Sequence, residues 1–295
     1  MSWAPHVSTA FAALLAALLL WLHSASFSPS PSSSVHFQRF KVYPAYSNRT
    51  IVLVPGLDGC ASFFADTIPF LTQQQYNVVV YNIPLLTTEN KDTYSFEYLA
   101  DQLDKVLDEA TEAGPVNLVG ESFGGVIAQY YAHRNPARVL KLVLLSSLAK
   151  AELPPGVLFK LTYLLPLVEA LGASFPSLAQ AIFARLHVDD VIEHSEGPAS
   201  REAFVKEASL AHFPSVMRRI RLVSRLDIET AVSSQISAPT LLLYGRDDHF
   251  TSHSSIALKE VVPHSQLKEL PGGHLAHLTN YRPFAEALLG FFDAT

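Results

Sequence analysis

The chain is 295 residues long; 49% of its residues are hydrophobic, only 16% are charged, and its formal net charge is −6. High apolar content with modest net charge excludes an intrinsically disordered protein, and the lack of a basic excess argues against a nucleic-acid binder. Cys60 is the one cysteine, so the chain can form no internal disulfide and offers no Cys/His zinc spacing. We therefore expect one large globular domain or two small ones, with no metal, no cofactor and no nucleic-acid partner.

An apolar run lies near the start of the chain, at residues 10–22. Its length is below the roughly 20 residues of a membrane span and is typical of a signal-peptide core. Small residues follow at 24–26, so residues 1–26 are predicted as a signal peptide or membrane anchor, and residues 27–34 as a Ser/Pro linker. A cleaved signal favours the secretory pathway or the extracellular space. Because no Lys or Arg precedes the run, a retained membrane anchor and a plastid transit segment remain alternatives.

The next segments alternate between short apolar runs and helical patterns. Unbroken apolarity is typical of strands that are buried on both faces, as in a parallel sheet. The predicted strands are residues 51–54, 76–83, 116–119, 139–145, 240–244 and 266–270. This alternation predicts an α/β fold, a mostly parallel central sheet with helices on both faces, with its core in residues 35–148 and 238–295.

The alternation stops in residues 149–237, where helical stripes occur without a strand-like run. Residues 157–171 are apolar nearly all round the helix, which predicts a buried helix, and Pro166 should kink it. We interpret residues 149–237 as an inserted helical cap over the carboxyl edge of the sheet, where ligands of open α/β sheets bind. A buried helical subdomain with no role in substrate contact is the alternative.

A nucleophile motif follows the predicted strand at 116–119. Residues 120–124 read Gly-Glu-Ser-Phe-Gly, which fits G-x-S-x-G, and a helical pattern begins directly after them. A strand-to-helix turn of this kind exposes the serine hydroxyl at a helix N-terminus, where negative charge is stabilised. We therefore predict Ser122 as a nucleophile. A glycine-rich turn with an incidental serine is the alternative.

A serine nucleophile needs a base, and the base needs an acid that orients it. Asp247 and Asp248 both follow the predicted strand at 240–244, and either could supply the acid. His274 follows a later strand and a pair of glycines, a position that would let its imidazole reach Ser122. Other histidines lie nearby and are weaker candidates for the base: His253, His264 and His277.

An oxyanion hole completes such a site, because acyl transfer develops negative charge on the carbonyl oxygen. One donor is expected from the N–H of Phe123, the residue after the nucleophile. The second is expected from the loop after the first central strand, where we choose the N–H of Leu57 because Pro55 has none. A plain strand-ending turn is the alternative for this loop.

These motifs, in this order, resemble those of the α/β-hydrolase superfamily from residue 35 to the end of the chain. Val-Gly-Glu-Ser-Phe-Gly-Gly looks like its nucleophile elbow, and Pro-Gly-Gly-His-Leu-Ala-His-Leu is similar to its catalytic-histidine segment. In esterase-like members the acid lies three residues after the strand-ending glycine, which implies Asp248 rather than Asp247. Pro55-Gly56 stands where many members have His-Gly, a departure that affects the geometry of the loop. The serine argues against the branches of the superfamily that use an aspartate nucleophile.

The motifs and the resemblance together predict a serine hydrolase that cleaves a carboxylic ester or thioester of a hydrophobic acyl substrate. Ser122 would attack, His274 would act as base, Asp248 would orient the histidine, and the Leu57 and Phe123 N–H groups would hold the oxyanion. An acyltransferase with the same triad and a non-catalytic ligand-binding receptor on the same fold are the alternatives. The sequence leaves the oligomeric state open and allows membrane association through the N-terminal segment.

A group of four arginines near the end of the predicted cap carries a separate expectation. Their spacing favours a solvated helix face, with contact to anionic lipid or an acidic substrate as the alternative. The four are Arg218, Arg219, Arg221 and Arg225.

Overall fold

The computed structural model of the chain describes residues 38–111 and 114–294. Within this part of the chain, the strands form one seven-stranded sheet in the order β1-β3-β2-β4-β5-β6-β7. Strand β1 pairs antiparallel with β3, and the other neighbouring strands pair in parallel. The strands are β1 Phe40–Tyr43, β2 Thr50–Val54, β3 Asn77–Tyr81, β4 Val116–Glu121, β5 Val139–Leu145, β6 Thr240–Gly245 and β7 Gln266–Leu270.

The strand order creates a switch point between β2 and β4. After β2 the chain adds β3 on one side, then crosses to β4 and continues outward through β5, β6 and β7. The ends of β2 and β4 lie next to each other, with Val54 opposite Gly120. Ligands of open α/β sheets bind at this kind of crevice. The topology therefore brings the loop after β2 beside the turn that carries Ser122.

Helices cover both faces of the sheet. Those of the core are α1 Thr67–Gln73, α2 Phe96–Ala110, α3 Phe123–Arg134, and, after β6, α9 Ser252–Val261, α10 Ala276–Thr279 and α11 Tyr281–Phe292. Alternate residues of β2 point to opposite faces. Val52 and Val54 pack with α2 and α3, whereas Ile51 and Leu53 pack with α1 and α11. This double burial is the physical reason that the central strands are apolar without interruption.

The α/β architecture predicted from the sequence is confirmed, with two adjustments. Strand β1 was absent from the predicted strands, because a partly exposed, antiparallel edge strand does not need an unbroken apolar sequence. The predicted strand at 76–83 is shorter in the structure, Asn77–Tyr81. The segments predicted as leader and linker, residues 1–26 and 27–34, lie outside the described residues.

A helical segment joins β5 to β6 and contains no strand in residues 149–237, apart from an isolated bridge between Lys150 and Asp227. We refer to it as the helical insertion. Its helices are α4 Pro155–Phe159, α5 Leu165–Gly172, α6 Pro176–Val191, α7 Gly197–Ala208 and α8 Phe213–Val223.

The expectation that the first helix of this insertion is buried was wrong. A π-helical turn, Lys160–Leu164, joins α4 and α5 into one helix, Pro155–Gly172, in which Val168 is the one buried residue. The π turn lies directly before Pro166, whose missing N–H prevents a regular hydrogen-bond ladder. One side of the helix faces a cleft and the other faces solvent, where four large apolar side chains are 54–64% exposed: Leu158, Phe159, Tyr163 and Leu167.

Candidate active site

Ser122 lies in a sharp turn between β4 and α3. Its backbone has φ 51° and ψ −117°, a strained region for a non-glycine residue. The turn is possible only with glycines on both sides. A Cβ on Gly120 would lie 2.5 Å from the Cα of Gly125, and a Cβ on Gly124 would lie 2.3 Å from the carbonyl oxygen of Pro55. The G-x-S-x-G spacing is therefore a steric requirement of this turn.

The structure brings Ser122, His274 and Asp248 into one hydrogen-bonded chain. His274 Nε2 lies 3.0 Å from Ser122 Oγ, and His274 Nδ1 lies 3.2 Å from Asp248 Oδ2. All three side chains are buried. With the proton on Nδ1, the ring donates to the carboxylate and presents the Nε2 lone pair to the serine hydroxyl. The arrangement has the geometry of a nucleophile, a base and an orienting acid.

Asp248 is held by more partners than the sequence suggested. Its Oδ1 accepts hydrogen bonds from the N–H groups of Phe250 and Thr251, and the Thr251 hydroxyl donates to Oδ2 at 2.7 Å. Burial by itself would raise the pKa of Asp248, but the charge and hydrogen bond of His274 and the bonds from Thr251 outweigh it and lower the pKa. The acid therefore stays ionised beside the imidazole.

The charge of Asp248 also acts on the base. Burial alone would lower the pKa of His274, but the negative charge and hydrogen bond of Asp248, with a further contribution from Glu121, raise it above the ordinary value. Thr251 Oγ1 lies 2.9 Å from His274 Nδ1 and also contacts the carbonyl of Ser146. No sequence motif points to Thr251, because its role depends on the loop that returns its N–H and hydroxyl to Asp248.

The rival residues lie elsewhere. Asp247 is partly exposed, and its N–H donates to the carbonyl of Gly272. His277 is buried between Phe64 and Phe284, neither ring nitrogen has a hydrogen-bond partner in the described structure, and burial lowers its pKa to about 3. His277 is thus a neutral packing residue. His253 and His264 are exposed at the surface.

The loop after β2 and the start of α3 line the same pocket as Ser122 and His274, through Leu57 and Phe123. Phe123 is the first residue of α3, where backbone N–H groups have no intrahelical acceptor. The loop turns at once after β2, with the N–H of Gly59 donating to the carbonyl of Gly56 at 3.0 Å. Both residues chosen as oxyanion donors therefore border the space in front of the serine hydroxyl.

Glu121, the variable residue before the serine in the G-x-S-x-G motif, binds the loop after β2. Its Oε2 accepts a hydrogen bond of 2.6 Å from the N–H of Gly56, and a Cβ on Gly56 would lie 2.5 Å from the same carboxylate. Burial raises the pKa of Glu121 to about 7, although the charge of His274 and the Gly56 bond oppose the shift. A variable position in a motif carries no sequence signal, so reasoning from the pattern missed this residue.

Arg219 also contacts the loop after β2, and the expectation of a solvated arginine face was wrong for this residue. It is only 2% exposed. Its guanidinium donates to the carbonyls of Leu57 and Ile83 and to the hydroxyl of Tyr94. Arg218 is half-buried and bonds the carbonyl of Tyr94, whereas Arg221 and Arg225 are exposed. A signal existed, since position 219 falls on the apolar stripe of α8 beside Val216 and Ile220.

Glu196, also from the helical insertion, contacts the loop that follows β7 and carries His274, which we call the histidine loop. Its Oε1 accepts a hydrogen bond from the N–H of Gly273, the residue before His274, and a second from the hydroxyl of Thr279. The helical insertion therefore contacts two loops of the site. Arg219 holds the loop that follows β2 and contains Leu57, which we call the oxyanion loop, and Glu196 holds the histidine loop.

Two adjacent cavities lie beside the triad. The catalytic pocket contains Ser122 and His274 and has about 590 Å³ of empty space, its opening to solvent included. The adjoining apolar cleft has about 650 Å³ on the same measure and is lined mainly by leucine, valine and phenylalanine side chains, many of them from the Pro155–Gly172 helix, α6 and α8. Five residues border both cavities: Leu57, Leu153, His187, Val223 and Phe250. No cluster of metal-ligating side chains was found among the described residues.

Comparisons with known proteins agree with this fold. A family model described as the alpha/beta hydrolase fold matches residues 49–281. A relative from Stutzerimonas stutzeri (strain A1501), named "Putative carbamate hydrolase RutD", is 31% identical over 249 residues, 81% of this chain and 90% of the relative. The 2-hydroxy-6-oxo-2,4-heptadienoate hydrolase of Pseudomonas putida is 31% identical over 68% of this chain and 71% of its own. The structure of a thermophilic esterase from Thermogutta terrifontis superposes with a TM-score of 0.72 at 18% identity, covering 86% of this chain and 92% of the esterase.

Proposed function

Because this chain belongs to the α/β-hydrolase family, we propose that it is a serine hydrolase that cleaves a carboxylic ester or thioester of a hydrophobic acyl substrate. The observation that carries the proposal is the continuous hydrogen-bonded chain from Asp248 through His274 to Ser122, in a pocket that adjoins an apolar cleft. A serine that only packs would need neither a buried base nor a buried carboxylate aligned behind it.

The first half of the reaction forms an acyl-enzyme. Ser122 Oγ attacks the acyl carbonyl carbon while His274 Nε2 takes the hydroxyl proton, and Asp248 stabilises the resulting imidazolium. The N–H groups of Leu57 and Phe123 bind the oxyanion. When the tetrahedral intermediate collapses, the bond to the leaving oxygen or sulfur breaks, and His274 gives its proton to the leaving group.

The second half of the reaction regenerates the enzyme. His274 takes a proton from water as the water oxygen attacks the ester carbon of the acyl-enzyme. Collapse of this second tetrahedral intermediate releases the carboxylic acid, and the proton on His274 returns to Ser122 Oγ. The same two N–H groups serve both steps, because the oxyanion develops at the same place.

The apolar cleft supports the choice of a hydrophobic acyl group. An acyl chain that enters it leaves water, at a gain of about 0.8 kcal/mol for each buried methylene. We therefore expect kcat/KM for p-nitrophenyl esters to rise about threefold to fourfold for each methylene until the cleft is filled. A fluorophosphonate probe should label Ser122 in the same preparation.

Filling the cleft tests this assignment. Leu161 lines the cleft, whereas Leu158 on the same helix points to solvent and does not. We expect Leu161→Trp to lower kcat/KM for the longest preferred esters at least tenfold while acetate and butyrate esters are still hydrolysed, and Leu158→Trp to leave the chain-length profile unchanged. A wild-type protein that neither reacts with the probe nor hydrolyses any ester or thioester would contradict the proposed function.

The hydrogen bond from Arg219 to the Leu57 carbonyl gives a second prediction. Arg219→Met removes the donor to the Leu57 carbonyl, so the Leu57 N–H is held less firmly where the oxyanion forms. We expect kcat/KM to fall about 10²-fold, near the loss that follows removal of one oxyanion donor, mostly through kcat. The inhibition constant of a trifluoromethyl ketone, which forms a bound oxyanion with the serine, should rise in parallel.

Arg218→Met is the matched control, because Arg218 is the neighbouring arginine and, in the part of the chain that the structure describes, its guanidinium donates to the carbonyl of Tyr94 and not to the oxyanion loop. We expect little change in either quantity for this variant, and a partial recovery in Arg219→Lys, which keeps the charge but not the planar fork. An equal loss in both methionine variants, or an unchanged inhibition constant in Arg219→Met, would show that Arg219 has a general structural role only.

A further inference from the structure

Asp58 is an acidic residue in the catalytic pocket that the mechanism above does not use. It follows Leu57 in the oxyanion loop, and its side chain lines the pocket together with Ser122 and Glu121. Much of the remaining wall is apolar, formed by side chains such as Leu148, Val191, Phe204 and Leu275. A carboxyl group at this place is therefore close to the position that a bound ester would occupy.

One oxygen of this carboxyl group is unsatisfied. Asp58 Oδ1 is shielded from solvent and has no hydrogen-bond partner in the structure as described. Burial raises the pKa of Asp58, although the charges of His187, Arg219 and His274 oppose the shift. A buried polar atom without a partner destabilises a protein, and such groups in native structures call for an explanation. Glu121, by contrast, has the Gly56 N–H as a partner.

The surroundings favour a neutral hydroxyl group as the missing partner. A hydroxyl can donate to an ionised carboxylate and can both donate to and accept from a protonated carboxyl group. A substrate ammonium group would lie near the guanidinium of Arg219 and near His274, which becomes positively charged during the reaction. Because Asp58 lines the same pocket as Ser122, the hydroxyl group that it binds must lie near the scissile bond of the ester.

We propose that Asp58 forms a polar subsite beside Ser122 that binds a hydroxyl group of the substrate, so that preferred esters carry a hydroxyl near the scissile bond. This inference rests on the proposed hydrolase function and names a feature of its substrate. The apolar cleft and this subsite then select different parts of one molecule: a hydrophobic chain and a hydroxyl group next to the ester.

The test compares matched pairs of esters in the full-length protein. One pair places the hydroxyl on the acyl side, p-nitrophenyl butyrate against p-nitrophenyl 3-hydroxybutyrate. The other places it on the alcohol side, ethyl butyrate against 2-hydroxyethyl butyrate. In at least one pair we expect kcat/KM to be about tenfold or more higher for the hydroxylated ester, as a hydrogen bond to a buried carboxyl group implies.

Asp58→Leu should reduce this preference to about one, since leucine has a similar volume and no polar atom. Asp58→Asn should keep part of it. Glu152→Gln is the matched control, because the Glu152 carboxylate also borders the pocket but is exposed and lies 3.5 Å from His253. This variant should keep the wild-type preference.

Thermal unfolding distinguishes the proposed subsite from a stabilising structural role of Asp58. Because the leucine removes an unsatisfied buried group, Asp58→Leu should raise Tm by about 2–4 °C, and fluorophosphonate labelling of Ser122 should show that the fold is intact. A wild type that is neither labelled at Ser122 nor active on any of these esters overturns the proposed function and the subsite with it. A labelled wild type with equal kcat/KM within both pairs overturns the subsite alone. A third ester, p-nitrophenyl 3-aminobutyrate, tests the choice of a hydroxyl group, and a preference for it over the 3-hydroxy ester overturns that choice.

Discussion

Replacing Ser122 with alanine is expected to lower kcat for p-nitrophenyl butyrate by about 10⁶-fold, the scale seen when a triad loses its nucleophile. His274 Nε2, which lies 3.0 Å from the serine oxygen in the wild type, would then have no hydroxyl proton to take and no acyl-enzyme would form. The residual rate would come from the remaining oxyanion donors and from substrate binding. Steady-state hydrolysis measures the effect, with the active sites of the wild type titrated by a fluorophosphonate and the concentration of the variant taken from its absorbance.

Ser254→Ala is the appropriate control for this variant. Ser254 is also a buried serine that lines the catalytic pocket, but it lies in the first turn of α9, and the ring nitrogens of His274 bond Ser122, Asp248 and Thr251 instead. Its removal should change kcat less than tenfold. Unfolding curves should remain cooperative for both variants, since neither substitution removes more than one oxygen atom. Turnover in Ser122→Ala equal to the wild type would refute the assignment of the nucleophile.

The fold and the nucleophile could be predicted from the sequence because they depend on local patterns. A strand that is buried on both faces has to be apolar throughout, as β4 is, and a turn as tight as that at Ser122 has to have glycines at 120 and 124. His274 was identifiable because it follows a strand and a pair of glycines. Asp248 was separable from Asp247 only through the resemblance to a family, since both follow the same strand.

The rest of the site depends on contacts between distant parts of the chain. Arg219 reaches the oxyanion loop across 162 positions of sequence, and Glu196 reaches Gly273 across 77. No pattern within a helix or strand records such a partner. Asp58 was missed for a different reason: an acidic residue in a glycine-containing loop is ordinary in sequence, and only the structure shows that its Oδ1 is enclosed without a partner.

The exposed apolar face of the Pro155–Gly172 helix illustrates the limit of hydropathy. An all-round apolar helix was expected to be buried, yet one face borders the apolar cleft through residues such as Leu161, and the other is exposed through residues such as Leu158. Hydropathy records that both faces are apolar and cannot distinguish a face that packs from one that borders a cavity. The helical insertion is therefore part of the site, since it lines the cleft and holds two of the loops.

Replacing Asp248 with asparagine is expected to lower kcat by about 10⁴-fold while the fold is retained. The wild-type carboxylate accepts the proton on His274 Nδ1 and so keeps the Nε2 lone pair directed at Ser122. An asparagine amide can instead donate to Nδ1, which stabilises the wrong tautomer. Thr251, at 2.9 Å from Nδ1, cannot replace the negative charge that stabilises the imidazolium. Asp247→Asn is the matched control, and we expect its kcat to stay within about threefold of the wild type.

The pH profile separates this role of Asp248 from simple packing. His274 must be neutral to accept the serine proton, so activity is lost as the pH falls through the pKa of His274. Burial lowers that pKa, but Asp248 outweighs burial and raises it above the ordinary value, so the wild-type acid limb lies at a raised pH. In Asp248→Asn the raising charge is gone while the burial remains, and the acid limb of kcat/KM should therefore move to lower pH. Asp247→Asn should leave the limb in place. An acid limb that does not move in Asp248→Asn would mean that Asp248 does not control the charge on His274.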